Sequence, residues 1–190
     1  MQMEKEITVL VKTDYETLKK ELEKKNFVKK EEYVVNDIYM VSSKLDLKNS
    51  KKLDILSKCV LIRDVVDIEK LLLYKYKKYD DKENILEQGK VKCPVESIEK
   101  AVNFMEAIDY KKLFSISDTC IVYANSTSEL VVELVNDKYI FVEVENKCEY
   151  VDREYKDTEE MKEDLLSYNL PIDASNFFVK KAEIMLDSIL

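Results

Sequence analysis

Charged side chains recur at every second residue along several stretches of this sequence, and they are the residues best suited to chemistry. A strand turns alternate side chains to the same side, so each series lies along one face of a predicted strand. Charges along one face usually form an exposed outer face, whereas in a closed barrel the same pattern lines a polar lumen. The sequence leaves both interpretations open. The charged positions are Glu4, Glu6, Arg63, Lys75, Lys77, Glu133, Glu143 and Glu145.

The residue types that are missing narrow the chemistry further. The 190 residues include no histidine and a single glycine, Gly89. The chain therefore has no Ser-His or Cys-His pair, no HExxH zinc site and no glycine-rich phosphate loop. Any acid–base chemistry must use carboxylates, lysine, tyrosine, cysteine or metal-bound water. Any metal would be a hard cation bound by oxygen, or a cation in a thiolate site.

The balance of charge indicates which partners to expect. Lys and Arg number 31 and Asp and Glu number 39, which gives a net charge of −8. This balance argues against bulk binding to nucleic acid or to an anionic membrane. The sequence has no apolar run of transmembrane length, and its first residues do not resemble a signal peptide. We therefore predict a cytoplasmic protein that does not associate with membranes.

The four cysteines lie about thirty residues apart along the sequence. Cys59, Cys93, Cys120 and Cys148 form no CxxC pair, and they lie within or at the end of apolar or alternating stretches. Zinc sites with thiolate ligands usually contain closely spaced cysteines. The spacing therefore predicts reduced cysteines in the core or on strands, without zinc.

Hydrophobic periodicity predicts an α+β protein with eight strands joined mostly by short turns. Long antiparallel strands in this number tend to close on themselves, because closure removes exposed sheet edges. We therefore predict one domain over residues 1–190, an eight-stranded antiparallel closed β-barrel (a tunnel) with flanking helices. The barrel covers about 3–149, and C-terminal helices cover about 157–189. The predicted strands are near 3–12, 27–41, 58–67, 70–79, 86–93, 110–124, 128–135 and 138–148; helices are near 13–25, 95–109, 157–168 and 175–189, and 42–56 is a loop or short helix.

Five short motifs stand in a fixed order on these strands and carry a resemblance to a known family. They are Glu4-Lys5-Glu6-Ile7-Thr8, Asn36-Asp37-Ile38-Tyr39-Met40, Val60-Leu61-Ile62-Arg63, Leu72-Leu73-Tyr74-Lys75 and Phe141-Val142-Glu143-Val144-Glu145. They are similar to the ExExK, NxYYD, LRIR, LTYK and FVEIE motifs of the CYTH family. That family comprises class IV adenylate cyclases, thiamine triphosphatases and related triphosphate tunnel enzymes. The resemblance covers residues 4 to 145.

The resemblance implies a tunnel in which acidic residues hold Mg²⁺ or Mn²⁺ and basic residues hold a triphosphate. The substrate would be a nucleoside triphosphate, thiamine triphosphate or tripolyphosphate, and the reaction hydrolysis or adenylate cyclisation. Such chemistry depends on positioning and charge neutralisation, which carboxylate-held metal and Arg or Lys supply. A homodimer is also compatible with the family. By resemblance the metal ligands are Glu4, Glu6, Glu133, Glu143 and Glu145, and the phosphate-binding residues are Arg63 and Lys75, with Lys90 and Lys92 if they face the interior.

The chain departs from the family at basic positions. Thr8 stands in place of the lysine of ExExK, and Leu61 in place of the first arginine of LRIR. The KxR motif of the sixth strand falls on Asp118-Thr119-Cys120, and Lys90-Val91-Lys92 replaces a carboxylate-rich strand. Three hypotheses stay open: a metal-dependent enzyme, a non-catalytic tunnel protein that binds an anion or a protein partner, and strand faces with no ligand.

Overall fold

The predicted elements are found close to their predicted positions, and the α+β class is confirmed. The structure is a computed structural model that describes residues 5–79 and 85–190, with the backbone alone at 85–87. The predicted loop or short helix at 42–56 contains the start of α2. The strands are β1 (Glu6–Leu10), β2 (Val28–Ser42), β3 (Val60–Val65), β4 (Glu69–Tyr79), β5 (Ile85–Pro94), β6 (Tyr110–Ala124), β7 (Glu129–Val135) and β8 (Tyr139–Glu145), and the helices are α1 (Tyr15–Lys24), α2 (Lys52–Ser57), α3 (Ile98–Ala107), α4 (Thr158–Ser167) and α5 (Lys181–Asp187).

The eight strands form one sheet in the order β1-β8-β7-β6-β2-β3-β4-β5. Neighbouring strands pair in antiparallel fashion, as predicted: Glu6 lies opposite Glu145, and Leu61 lies opposite Leu73. β1 and β5 stand at the two ends of this order, and over the described residues they do not pair with each other. The sheet is therefore not closed, and the prediction of a closed barrel is wrong on this point.

The outer edge of β1 is covered by a C-terminal segment. The backbone N–H of Thr8 donates to the carbonyl of Phe177, and the N–H of Val179 donates to the carbonyl of Thr8, both at 3.0 Å. These bonds satisfy backbone groups that an uncovered edge strand would expose, so β1 does not need a further strand beside it. They also correct a second prediction. The helix expected over 175–189 is limited to α5, because residues 177–179 lie extended against β1.

The described chain divides into two compact units, and each has its own core. The first contains the described residues of Met1–Tyr33 and Tyr79–Glu87, together with Asp118–Val179. One face of its strands packs against α1 and α4, and α1 contributes buried Leu18 and Leu22 to this core. The core on this face includes Ile7, Val9, Leu18, Leu22, Ile121, Tyr123, Val132, Val142, Val144, Met161 and Leu165.

The second unit contains Val34–Lys78, Gln88–Ser117 and Lys180–Leu190. One face of β2 and β3 packs against α3, where Met40 and Ile62 contact Ala101 and Met105. The other face of the same strands carries a separate apolar cluster of Val41, Cys59, Leu61 and Leu73, with Tyr39 packed against it. Both faces of this unit therefore contain buried apolar side chains.

The single glycine lies against the end of a tyrosine side chain. A Cβ added to Gly89 would lie 2.0 Å from Cζ of Tyr76. The Tyr76 ring therefore lies against the face of β5 on which Gly89 would carry its side chain. Because side chains alternate along a strand, Lys75 and Lys77 on β4 and Lys90 on β5 all point to the opposite face.

The helices are short, and α1, α3 and α4 begin with side-chain caps. The carboxylate of Asp14 accepts the backbone N–H of Thr17 at 2.9 Å and caps α1, close to the predicted start of this helix at residue 13. Each of α1, α3 and α4 has ten residues. Across residues 5–79 and 85–190, no helix has the length and apolar character needed to cross a bilayer.

The four thiols are expected to react at very different rates. Cys59, Cys120 and Cys148 are buried and Cys93 is exposed, and all four are free thiols. Burial raises the pKa of Cys59 to about 12 and that of Cys148 to about 11, so their thiolates are scarce at neutral pH. With a thiol-reactive dye in native buffer we expect one fast equivalent, from Cys93, and four equivalents in denaturant. Fast reaction of two or more thiols in native buffer would contradict this arrangement.

Candidate functional site

The strands of the first unit turn an acidic face away from the core. The register sets Glu6 opposite Glu145 and Thr8 opposite Glu143, and residues directly opposite each other share a face. Their sequence neighbours Ile7, Val9, Val142 and Val144 belong to the core of the opposite face. Alternation of side chains therefore separates the acidic face from the apolar core, as the sequence pattern predicted.

Three carboxylates on β1 and β8 lie close enough to share a cation. Oxygens of Glu6, Glu143 and Glu145 all lie within 4.8 Å of one another. In an octahedral Mg²⁺ site with bonds of about 2.1 Å, opposite ligand oxygens lie about 4.2 Å apart, so small side-chain rotations suffice. The donor set is all oxygen, which suits Mg²⁺ or Mn²⁺. Thr8 joins this group, because its hydroxyl donates to a Glu143 oxygen at 3.3 Å. Glu4, also predicted as a metal ligand, lies outside the described residues.

Glu133 belongs to a different group from the one the sequence suggested. On β7 it lies opposite Cys120 of β6, and its carboxylate lies with Cys120 and Asp118 within 4.8 Å. All three are buried, and Glu133 keeps 4% of its exposure. The acidic face is therefore not a uniformly solvated outer face. The sequence placed Asp118 and Cys120 where the family that it resembles has basic residues, and it gave no sign that Glu133 would lie close to them.

Tyr33 is a further member of the acidic face that sequence reasoning missed. Burial raises the pKa of its hydroxyl above the ordinary tyrosine value, and nearby acidic groups, among them Glu143 and Glu145, raise it further. The phenol therefore stays protonated at neutral pH and can donate a hydrogen bond to an oxygen, but it cannot serve as a base. Its position on β2, at the same alternation as Asp37 and Tyr39, is the signal that could have identified it.

The second unit carries the predicted phosphate-binding arginine, held by a buried carboxylate. Arg63 on β3 lies directly opposite Asp37 on β2. Nε and Nη2 of Arg63 donate to the two carboxylate oxygens of Asp37 at 2.7 and 2.6 Å, a bidentate pair. Asp37 was not singled out from the sequence. A charged residue in an otherwise apolar stretch of strand was the available signal.

The predicted lysines lie on the same face of the second unit as Arg63, at different distances along it. Arg63 lies opposite Leu71, so Lys75 is four residues further along β4, about 13 Å at the strand rise of 3.3 Å per residue. Lys90 points to that face, as the contact of Gly89 with Tyr76 indicates, and is half-buried, whereas Lys92 is exposed. Lys77 and Lys75 are likewise half-buried.

Leu61 occupies an apolar environment at the position where the family has its first arginine. It lies opposite Tyr39 on one side and Leu73 on the other and keeps 2% of its exposure. Tyr39 in turn stacks on Phe114 with ring centroids 4.5 Å apart. This part of the face therefore serves packing, and the cations lie on either side of it along the strands.

The fold matches solved structures, although the chain matches no protein-family model and no curated protein. HpAC1 from Hippeastrum, a candidate adenylyl cyclase with a dominant triphosphatase activity, is 12% identical with a TM-score of 0.62, over 99% of this chain and 96% of that one. A candidate adenylate cyclase from Vibrio parahaemolyticus is 10% identical with a TM-score of 0.60, over 98% of each chain. The PH1819 protein of Pyrococcus horikoshii is 16% identical with a TM-score of 0.63, over 97% and 99%. At these identities the likeness is one of fold.

Proposed function

We propose that the protein binds a triphosphate-containing substrate together with Mg²⁺ or Mn²⁺ and hydrolyses a phosphoanhydride bond. The substrate class is a nucleoside triphosphate, thiamine triphosphate or tripolyphosphate. The observation that carries the proposal is the fold, which is shared over nearly the whole chain with a candidate adenylate cyclase and with HpAC1, whose dominant activity is a triphosphatase. Such a reaction would use carboxylates like those of the acidic face and basic side chains like those on the face that carries Arg63.

The carboxylates of Glu6, Glu143 and Glu145 would hold the metal. A divalent cation bound there neutralises charge on the phosphate oxygens and orients the bond to be cleaved. At this face the Thr8 hydroxyl donates a hydrogen bond to Glu143, and the protonated phenol of Tyr33 can donate a further one to an oxygen. Glu133, in its separate buried group, is not among the ligands proposed for it.

Arg63 and Lys75 would bind the phosphates, with Lys90 as a further cation. Arginine binds a phosphate through two parallel N–H groups, whereas lysine acts as a point charge. The strand positions of Arg63 and Lys75 are about 13 Å apart, so the two are better suited to different phosphate groups of one chain than to one phosphate. This spacing favours a triphosphate over a single phosphate group.

The proposed activity is tested with the purified full chain. We expect release of inorganic phosphate from tripolyphosphate, thiamine triphosphate or ATP in Mg²⁺ or Mn²⁺, and none in excess EDTA. With ATP, chromatography of the products separates hydrolysis to ADP or AMP from cyclisation to cyclic AMP and pyrophosphate. If no product forms from any of the three substrates with either metal, the enzymatic proposal is wrong.

Replacing Lys75 by alanine is expected to weaken tripolyphosphate binding about tenfold to a hundredfold. A charge-assisted hydrogen bond contributes about 1.5–3 kcal/mol. The matched control is Lys70→Ala on the same strand, because Lys70 lies on the opposite face and pairs with Asp64 at 3.6 Å. Calorimetry at low and high salt measures both variants. Equal losses in the two variants would show that only net charge matters.

The second candidate is a protein that binds a polyphosphate or another anion without cleaving it. It is favoured by the surroundings of Leu61, Asp118 and Cys120, which are all buried where the family has basic residues. Cleavage needs extra stabilisation of the charge that develops in the transition state, and fewer cations supply less of it. A bound ground state does not need that extra stabilisation. Tripolyphosphate binding by calorimetry, without phosphate release over hours, would favour this candidate over the enzyme.

A further inference from the structure

The chain contains few arginines, and each of them donates hydrogen bonds to a carboxylate. Only two of the 31 basic residues are arginines, Arg63 and Arg153. Nη1 of Arg153 donates to a carboxylate oxygen of Asp164 at 2.8 Å and to the hydroxyl of Ser128 at 3.0 Å, within the first unit. Arg63 instead lies on the face of the second unit that also carries Lys75 and Lys90.

The Asp37–Arg63 pair uses one defined edge of the guanidinium. Asp37 accepts from Nε and Nη2, which together form the side-on edge. A further planar ligand of Arg63 must therefore approach the end-on edge formed by Nη1 and Nη2. That edge presents two N–H groups at the spacing of two oxygens of one phosphate.

The surroundings of Asp37 hold this arrangement in place. Asp37 keeps 6% of its exposure and sits in the middle of β2, directly across from Arg63. Two residues along the same face, Tyr39 is fixed by its stack on Phe114. Burial, and then the charge of Asp37, raises the pKa of Tyr39, so no second anion forms beside the carboxylate at neutral pH. Asp37 is therefore a rigid, ionic anchor for the guanidinium.

We propose that Asp37 is a positioning residue that holds Arg63 with its Nη1–Nη2 edge presented to one phosphate group of the substrate. This inference rests on the proposed function, because it assigns Arg63 a phosphate to bind. Pre-orientation of a planar fork reduces the ordering cost of binding and selects for a group with two oxygens at the right spacing. A carboxylate that only reduced the local positive charge would have the opposite effect on affinity.

Removing the charge of Asp37 distinguishes these two roles, because they predict changes of opposite sign in the affinity for tripolyphosphate. We expect Asp37→Asn to weaken tripolyphosphate binding about tenfold by calorimetry, and to change it less than twofold in an Arg63→Ala background. The matched control is Asp64→Asn, since Asp64 is next to Arg63 in sequence but lies on the opposite face. If Asp37→Asn binds as tightly as the unmodified protein or more tightly, or if its effect is the same without Arg63, the inference is wrong.

A second measurement reports on Arg63 itself. With ¹⁵N-labelled arginine the protein has only two Nε–H signals, and Arg153 serves as the internal control. We expect Asp37→Asn to speed solvent exchange of the Arg63 Nε–H at least tenfold and to leave Arg153 unchanged. Unchanged exchange at Arg63 would overturn the inference alone. Failure of the unmodified protein to bind tripolyphosphate, with or without metal, would overturn the proposed function, and this inference with it.

Discussion

Replacing Glu143 and Glu145 together by glutamine is expected to abolish metal-dependent stabilisation and to lower any phosphate release more than a hundredfold. The two residues supply two of the three carboxylates whose oxygens lie within 4.8 Å of one another. Glutamine keeps the size of each side chain and removes its charge, and a neutral amide oxygen is a much weaker ligand for a hard cation. The change therefore removes the proposed metal site with little effect on shape.

The rise in Tm on adding metal distinguishes the double variant from the unmodified protein. At a metal concentration 100 times Kd, binding stabilises a folded protein by about 2.7 kcal/mol. For a chain of this size that corresponds to a rise in Tm of about 5–11 °C. We expect this rise in the unmodified protein and none in the double variant. Without metal, the melting temperature of the double variant is the reference from which its metal-induced rise is measured.

The control for the metal-binding experiment is a double variant that changes the net charge by the same amount at positions outside the acidic face. Glu106 on α3 and Glu163 on α4 are both exposed helix residues outside the acidic face. The double change Glu106→Gln and Glu163→Gln should keep the full metal-induced rise in Tm. A metal-induced rise that survives in the Glu143 and Glu145 variant would place the cation elsewhere, and the proposed ligand set would then be wrong.

Replacing Leu61 by arginine, the residue at the corresponding position of the LRIR motif that the sequence resembles, is expected to destabilise the protein by about 3–5 kcal/mol. Leu61 keeps 2% of its exposure and packs with Val41, Cys59 and Leu73. A guanidinium in this cluster loses its hydration and is longer than the leucine it replaces, and both effects oppose folding. Arg63, two residues away on the same face, adds like-charge repulsion.

Thermal or urea unfolding measures this cost, and a volume-conserving change provides the control. Leu61→Met should cost less than about 1.5 kcal/mol, because methionine fills similar space without a charge. If Leu61→Arg folds as stably as the unmodified protein and also binds tripolyphosphate more tightly, then position 61 reaches the phosphate site. In that case the apolar cluster would not be the reason why the chain lacks this arginine.

Local patterns in the sequence identified the elements of the fold well. Alternation of Glu6, Thr8 and Leu10 with Ile7 and Val9 predicted β1 and its two faces, because side chains of a strand alternate whatever its partners are. The same argument placed the other strands and their charged faces near their observed positions, and helical spacing of apolar residues placed the helices. It could not say what covers an edge. The closed barrel was wrong, and the helix predicted over 175–189 begins later than expected, because residues 177–179 make backbone bonds to Thr8, far away in the sequence.

The sequence by itself determined the chemistry available: carboxylates, lysines and Arg63 on strand faces, without histidine or a glycine-rich loop. The tertiary structure decided which of these groups meet. It joined Glu143 and Glu145 to Glu6, moved Glu133 into a buried group with Asp118 and Cys120, and paired Arg63 with Asp37. The physical reason is that alternation depends on one strand alone, whereas contact depends on the order and register of strands. These are set by packing between residues far apart in sequence.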